Sequence, residues 1–172
     1  MKRLVLVLFF LTFVSGVAFA QNNLKSGVYY VDIQRVINES EKGKQAKALI
    51  ESKIKSAKEK LKKMYDEIEK LKEELKSSAL SKEARTQKET LLQQKIRDYQ
   101  RFQQDTQIEI ANLEQRYTEE IVNDVIKIIR EYRQEKGIPV IVEKREAGII
   151  AGDPAYDLTQ EIIKLYNQRT RK

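Results

Sequence analysis

The chain has 172 residues, with 33 Lys and Arg against 26 Asp and Glu, a net charge of +7, and neither Cys nor His. Those absences exclude disulfides, nucleophile–histidine pairs and zinc sites built on sulfur or imidazole. Carboxylate chemistry remains, but most acidic residues sit at helix-surface spacing beside lysines, the pattern of a solvated face. An enzyme is therefore the least supported class, and no cofactor or metal is expected.

The chain opens with a leader pattern. Lys2-Arg3 supply a positive start, Leu4 to Val14 an uninterrupted apolar stretch, and Ala18-Phe19-Ala20 a small-residue cleavage site. The apolar stretch is shorter than the roughly 20 residues of a membrane span. This predicts a signal peptide over residues 1–20, cleaved after Ala20, with an uncleaved anchor as the alternative. Loss of Lys2 and Arg3 with the leader lowers the net charge from +7 to +5. The mature chain is expected to be soluble in an exported compartment.

Gly27 to Ile33 reads as a strand, since Val28, Tyr29, Tyr30 and Val31 favour extended backbone. Asp32 is placed to cap a short helix through Val36 that ends near Ser40. A long helix is predicted from about Gly43 to Ser77. Its apolar residues Ile50, Ile54, Ala57, Leu61, Met64, Ile68, Leu71 and Leu75 alternate gaps of four and three. So narrow a stripe makes no globular core and must lie along a second helix.

The partner follows the break at Ser77 to Ser81, where Ser81 is a plausible N-cap and a continuous bent helix is the alternative. The returning seam runs through Leu92, Ile96 and Tyr99, then Ile110, Leu113 and Tyr117, with Gln103 and Thr106 as polar seam residues between. No breaker appears before Gly137-Ile138-Pro139, so this helix outruns its partner. From Ile121 the stripe widens through Val122, Val125, Ile126, Ile128, Ile129 and Tyr132, which marks a helix of a compact base.

After Gly137, residues 140–143 and 148–151 read as two short strands. Asp157 with Gln160 reads as a capping box for a final helix that buries Leu158, Ile162 and Leu165. The fold class is α+β: a long antiparallel helical hairpin, coiled-coil-like, on a small β-rich oligomerisation base. The base takes residues 21–43 and 118–172, and the arm residues 44–117. Three short strands make a small core with open edges, so Val28, Tyr30, Val31, Val140, Ile141, Val142 and Ile149 are expected at an oligomer interface.

Four segments resemble the Skp/OmpH family of periplasmic chaperones. Residues 27–36, GVYYVDIQRV, are similar to its G-x-V-D-x-x-R-V opening. Residues 80–85, LSKEAR, residues 99–104, YQRFQQ, and residues 153–159, DPAYDLT, resemble later segments in the same order. Gly152 departs from the pattern by separating Ala151 from Asp153. The resemblance implies a homotrimer whose bases form a barrel-like body and whose arms enclose a cavity. It implies an ATP-independent periplasmic holdase for unfolded outer-membrane proteins.

On that reading the clients would meet Lys55, Lys58, Lys62, Lys63, Met64, Tyr65, Leu80, Arg85, Tyr99 and Phe102. The lysine run from Lys42 to Lys63, interrupted only by the acids Glu51 and Glu59, suits acidic clients and anionic lipid or lipopolysaccharide; plain solvation is the other account. A periplasmic coiled-coil adaptor of an envelope complex is the alternative function. The leader speaks against nucleic acid as a partner.

Overall fold

The computed structural model describes residues 27–171, so the expected leader and cleavage site lie outside the described residues. The elements are β1 (Tyr29–Val31), α1 (Ile33–Glu39), α2 (Glu41–Leu75), α3 (Lys82–Glu135), β2 (Ile141–Glu143) and α4 (Thr159–Thr170). A 3-10 turn at Pro154–Tyr156 precedes α4. At 1.5 Å per residue, the 35 residues of α2 span about 50 Å and the 54 residues of α3 about 80 Å. The excess of α3 is the base.

Local chemistry sets each boundary. Asp32 accepts from the Arg35 amide and starts α1, as the sequence indicates. Ser40 ends α1 and caps α2, accepting from the Gly43 amide at 3.2 Å while fully buried. The elbow between the two helices needs Gly43, because a Cβ there would stand 1.6 Å from the Ile37 carbonyl oxygen. Ser81 caps α3 through the Ala84 amide. At the far end Gly137, at φ 63°, closes α3: its amide donates to Gln134 and that of Ile138 to Arg133, the paired bonds of a Schellman stop.

Among the described residues the sheet has two parallel strands, with Tyr29 opposite Ile141 and Val31 opposite Glu143. The whole hairpin is thus the crossover of a parallel pair. The far edge of β1 receives the Leu158 amide on the Tyr30 carbonyl. β1 is therefore central, and the outer edge of β2 is unpaired among the described residues.

Residues 148–151, expected as a strand, form none: Gly148 lies in a turn at φ 63°, and residues 149–151 have no regular structure. They have no ladder partner among the described residues, and Ile150 is 98% exposed. The capping box expected at Asp157 and Gln160 is also not formed. Asp157 accepts from the Thr159 amide, but the Gln160 amide group reaches across to Glu39, and α4 starts after Leu158. Its buried face is Leu158, Ile162, Ile163 and Tyr166, with Leu165 at the margin.

The core joins Tyr29 and Val31 of β1, Val36 of α1, Ile121, Val125 and Ile128 of α3, Ile138, and this face of α4. The Asp32 amide donates to the buried Thr159 hydroxyl, and the Glu41 amide to Asn167, so α4 is bolted to both ends of α1. The Tyr166 hydroxyl is buried with no hydrogen-bond partner. Burial, reinforced by Asp124 and Glu120, pushes this phenol above its ordinary value. The folded chain thus holds that proton more tightly than the unfolded chain, so this group's contribution to stability is constant below about pH 10 and is lost as pH rises beyond it. Tyr166→Phe removes an unsatisfied group. It is expected to melt at or above the parent temperature near neutral pH, and to retain its helicity near pH 11 where the parent loosens, as followed by circular dichroism.

Candidate functional site

The arm is held in register by a ladder along one flank. Going up α2, Lys42 meets Glu120, Lys53 meets Glu109, the Lys60 ammonium sits 4.2 Å from the Phe102 ring centre, Glu67 meets Lys95 and Glu74 meets Lys88. Each step of eleven or seven residues up α2 is matched by an equal step down α3. All five pairs therefore share one antiparallel register and one side of each helix. The charge order reverses midway: α2 offers Lys below and Glu above. Lys88 holds the Glu74 carboxyl below the usual carboxylate range, and Glu67 raises Lys95.

The seam buries the predicted residues of α2, Ala57 and Ile68 most deeply. On α3 one assignment changes. Gln103 is exposed, and Phe102 takes the seam place beside the buried Thr106. Phe102 is seven residues from both Lys95 and Glu109, on the ladder side, and this places its ring beside Lys60.

At the tip, Arg85 is not a free contact. Its guanidinium donates to the carbonyls of Leu75 at 2.8 Å and Ser77 at 2.9 Å, groups that the end of α2 leaves without partners. This cap explains how the chain turns without Gly or Pro, and the tip is a true break and not a bent helix. Leu80 is half-buried beside it.

The other candidates spread around the arm. Lys55, Lys58 and Lys62 are exposed on one arc of α2, while Lys63, five residues from Lys58, points roughly 140° away. Tyr65 is 51% exposed, and Met64 and Tyr99 belong to the seam margin. Sequence reasoning did not single out Leu49, Leu91 and Ile108, which are exposed apolar residues of the arm; Ile108 is 60% exposed. Their signal was an apolar residue off the heptad.

Across the seam from the ladder the hairpin is open. Near its root lies a groove of about 530 Å³, walled by Ala46, Ile50 and Ile54 of α2 and Tyr117, Thr118 and Ile121 of α3, with Ile37 and Asn38 of α1 at the base end. Lys47, Glu51 and Glu114 stand at its rim.

The expected interface residues divide. Val28 and Val140 are exposed, and Ile141, Val142 and Ile149 are half-buried. Val31 and Tyr30 are consumed within the chain: Val31 belongs to the core, and the Tyr30 ring lies against Gly152 under Lys144. A Cβ at Gly152 would stand 3.0 Å from that ring, which gives the inserted glycine a steric reason.

A charged hairpin with a thin seam, standing on a small mixed base, defines a protein that works through extended surface. The chain belongs to the family described as Outer membrane protein (OmpH-like), matching it over residues 27–166. Its fold is similar to the crystal structure of an OmpH-like protein from Caulobacter crescentus, proposed to be an outer membrane chaperone. The TM-score is 0.77 at 21% identity, covering 86% of this chain and 88% of that one. No curated protein matches by sequence.

Because Arg85 serves the turn, Arg85→Ala should cost about 1 kcal/mol locally. Amide exchange over residues 76–84 is expected to quicken about fivefold, with the base unchanged.

Proposed function

We propose that this protein is an ATP-independent holdase chaperone of the periplasm, which binds unfolded outer-membrane proteins and keeps them soluble until they reach the outer membrane. The observation that carries this reading is the arm: a hairpin whose shorter helix spans about 50 Å, which buries only a thin seam and exposes Leu49, Tyr65, Leu91 and Ile108 among solvated charges. Such a surface offers many weak contacts and no fixed shape, which suits a client without one. Membership of the OmpH-like family and the leader sequence support the same compartment and client class.

The assembly is a homotrimer joined through the bases. The unpaired outer edge of β2, together with the exposed Val28, Val140 and Ile150 and the half-buried Ile141, Val142 and Ile149, supports this arrangement, since open strand edges are left for pairing. The adaptor reading draws on the ladder, which would make the arm a spacer of fixed register; it requires one partner at fixed stoichiometry.

The test dilutes a urea-denatured outer-membrane barrel into parent protein and into a variant in which a short linker joins residues 44 and 117. The parent should have the native mass of three copies and suppress aggregation. The shortened protein should keep that mass and lose the suppression. A parent that leaves aggregation unaltered would refute the holdase reading.

Lys55, Lys58, Lys62 and Lys63 attract acidic clients and anionic lipid or lipopolysaccharide by charge. Reversing all four to Glu should slow client capture several-fold at low salt. With a Debye length of roughly 10 Å at 0.1 M salt, the difference should vanish near 0.5 M. Stopped-flow fluorescence against ionic strength gives the comparison, and parallel salt dependences would leave these lysines a solvated face.

A further inference from the structure

We propose that the flank opposite the ladder is the client-bearing side of the arm, and that the root groove takes the apolar side chains of an extended, acid-containing segment of the client. This rests on the holdase reading. The two flanks differ in kind. On the ladder side four ion pairs cross between the helices, so those lysines and acids neutralise one another, and Lys60 stands over the Phe102 ring.

Roughly 120° around α2 from the ladder, on the far side of the seam, come Lys47, Lys58 and Tyr65, with Lys55 and Lys62 beside them. The matching side of α3 carries Gln93, Gln100, Gln107 and Thr118, all exposed and uncharged, with Glu114 as the acid. Among the described residues no ion pair crosses this flank. Among the described residues Lys47 approaches only Glu51 of its own helix, and Lys55, Lys58 and Lys62 make no ion pair.

Their charge is therefore available to carboxylates that come from outside. The glutamine amides both donate and accept, as an unpaired extended backbone requires. The groove adds apolar walls from Ile50, Ile54 and Tyr117. It lies one to two helical turns from Lys58, roughly 6–12 Å, the reach of two to four extended residues. The occupant is thus an extended strand-like segment with an apolar anchor and a carboxylate a few residues away.

Photo-crosslinking residues placed at Gln107 and Thr118 on this flank, and at Ser56 and Asp105 on the ladder side, report which side a denatured outer-membrane barrel touches in the full-length assembly. The expected result is client crosslinking at least fivefold stronger at Gln107 and Thr118. Equal or reversed yields, in a parent that still suppresses aggregation, would overturn the inference and leave the holdase reading standing. Loss of suppression in the parent removes both.

Thr118→Trp, which fills the groove mouth, should weaken capture of the same barrel about tenfold at unchanged native mass. Unchanged affinity, or a changed native mass that would show the groove holding a second copy, counts against the proposal. A fluorescent peptide of alternating Val and Thr carrying two Asp near one end should bind at least fivefold tighter than its Lys counterpart. Equal binding of the two would overturn the acidic part of the assignment.

Discussion

The structure depends on one register, that of α2 against α3. Five cross-helix pairs spaced by eleven and seven residues agree on it. A slip of one heptad would bring Lys60 against Lys95 in one direction and Lys53 against Arg116 in the other. Exposed ion pairs contribute only about 0–1 kcal/mol each. The ladder's role is accordingly to select one alignment, while the seam supplies cohesion.

That alignment delivers the base. β1 and β2 pair in parallel, and the chain between them is the entire arm. Closing so long a loop as a flexible chain would carry a large entropic cost, but a hairpin in register brings its two ends together as one stiff element. The elbow then fixes direction. With Ser40 buried as the cap and Gly43 against the Ile37 carbonyl, α2 leaves the base at one angle, and α4 locks that angle through Asn167 and Gln160.

The same economy leaves the arm two-sided. Charges matched across the ladder are used up in alignment, and those on the other flank are not. A helix pair with a thin seam always exposes two flanks; the placement of acids on α3 makes them unequal. The exposed base residues Val28, Val140 and Ile150 form a separate apolar surface at the other end of the molecule.

The sequence by itself determined the hairpin, its seam on α2, the caps at Asp32 and Ser81, the widening at Ile121 and the break at Gly137. Each depends on local spacing or on one residue's backbone preference, and these are written in order along the chain. Tertiary structure decided the rest. Phe102 is half-buried where Gln103 is exposed because Lys60 of α2 stands over its ring. Arg85 became a cap because the two helix ends meet in space. Residues 148–151 formed no strand because a strand needs a neighbour, and no periodicity states whether one will be present. Val31 went to the core because β1 lies between β2 and the lead to α4, a position set by contacts more than a hundred residues apart.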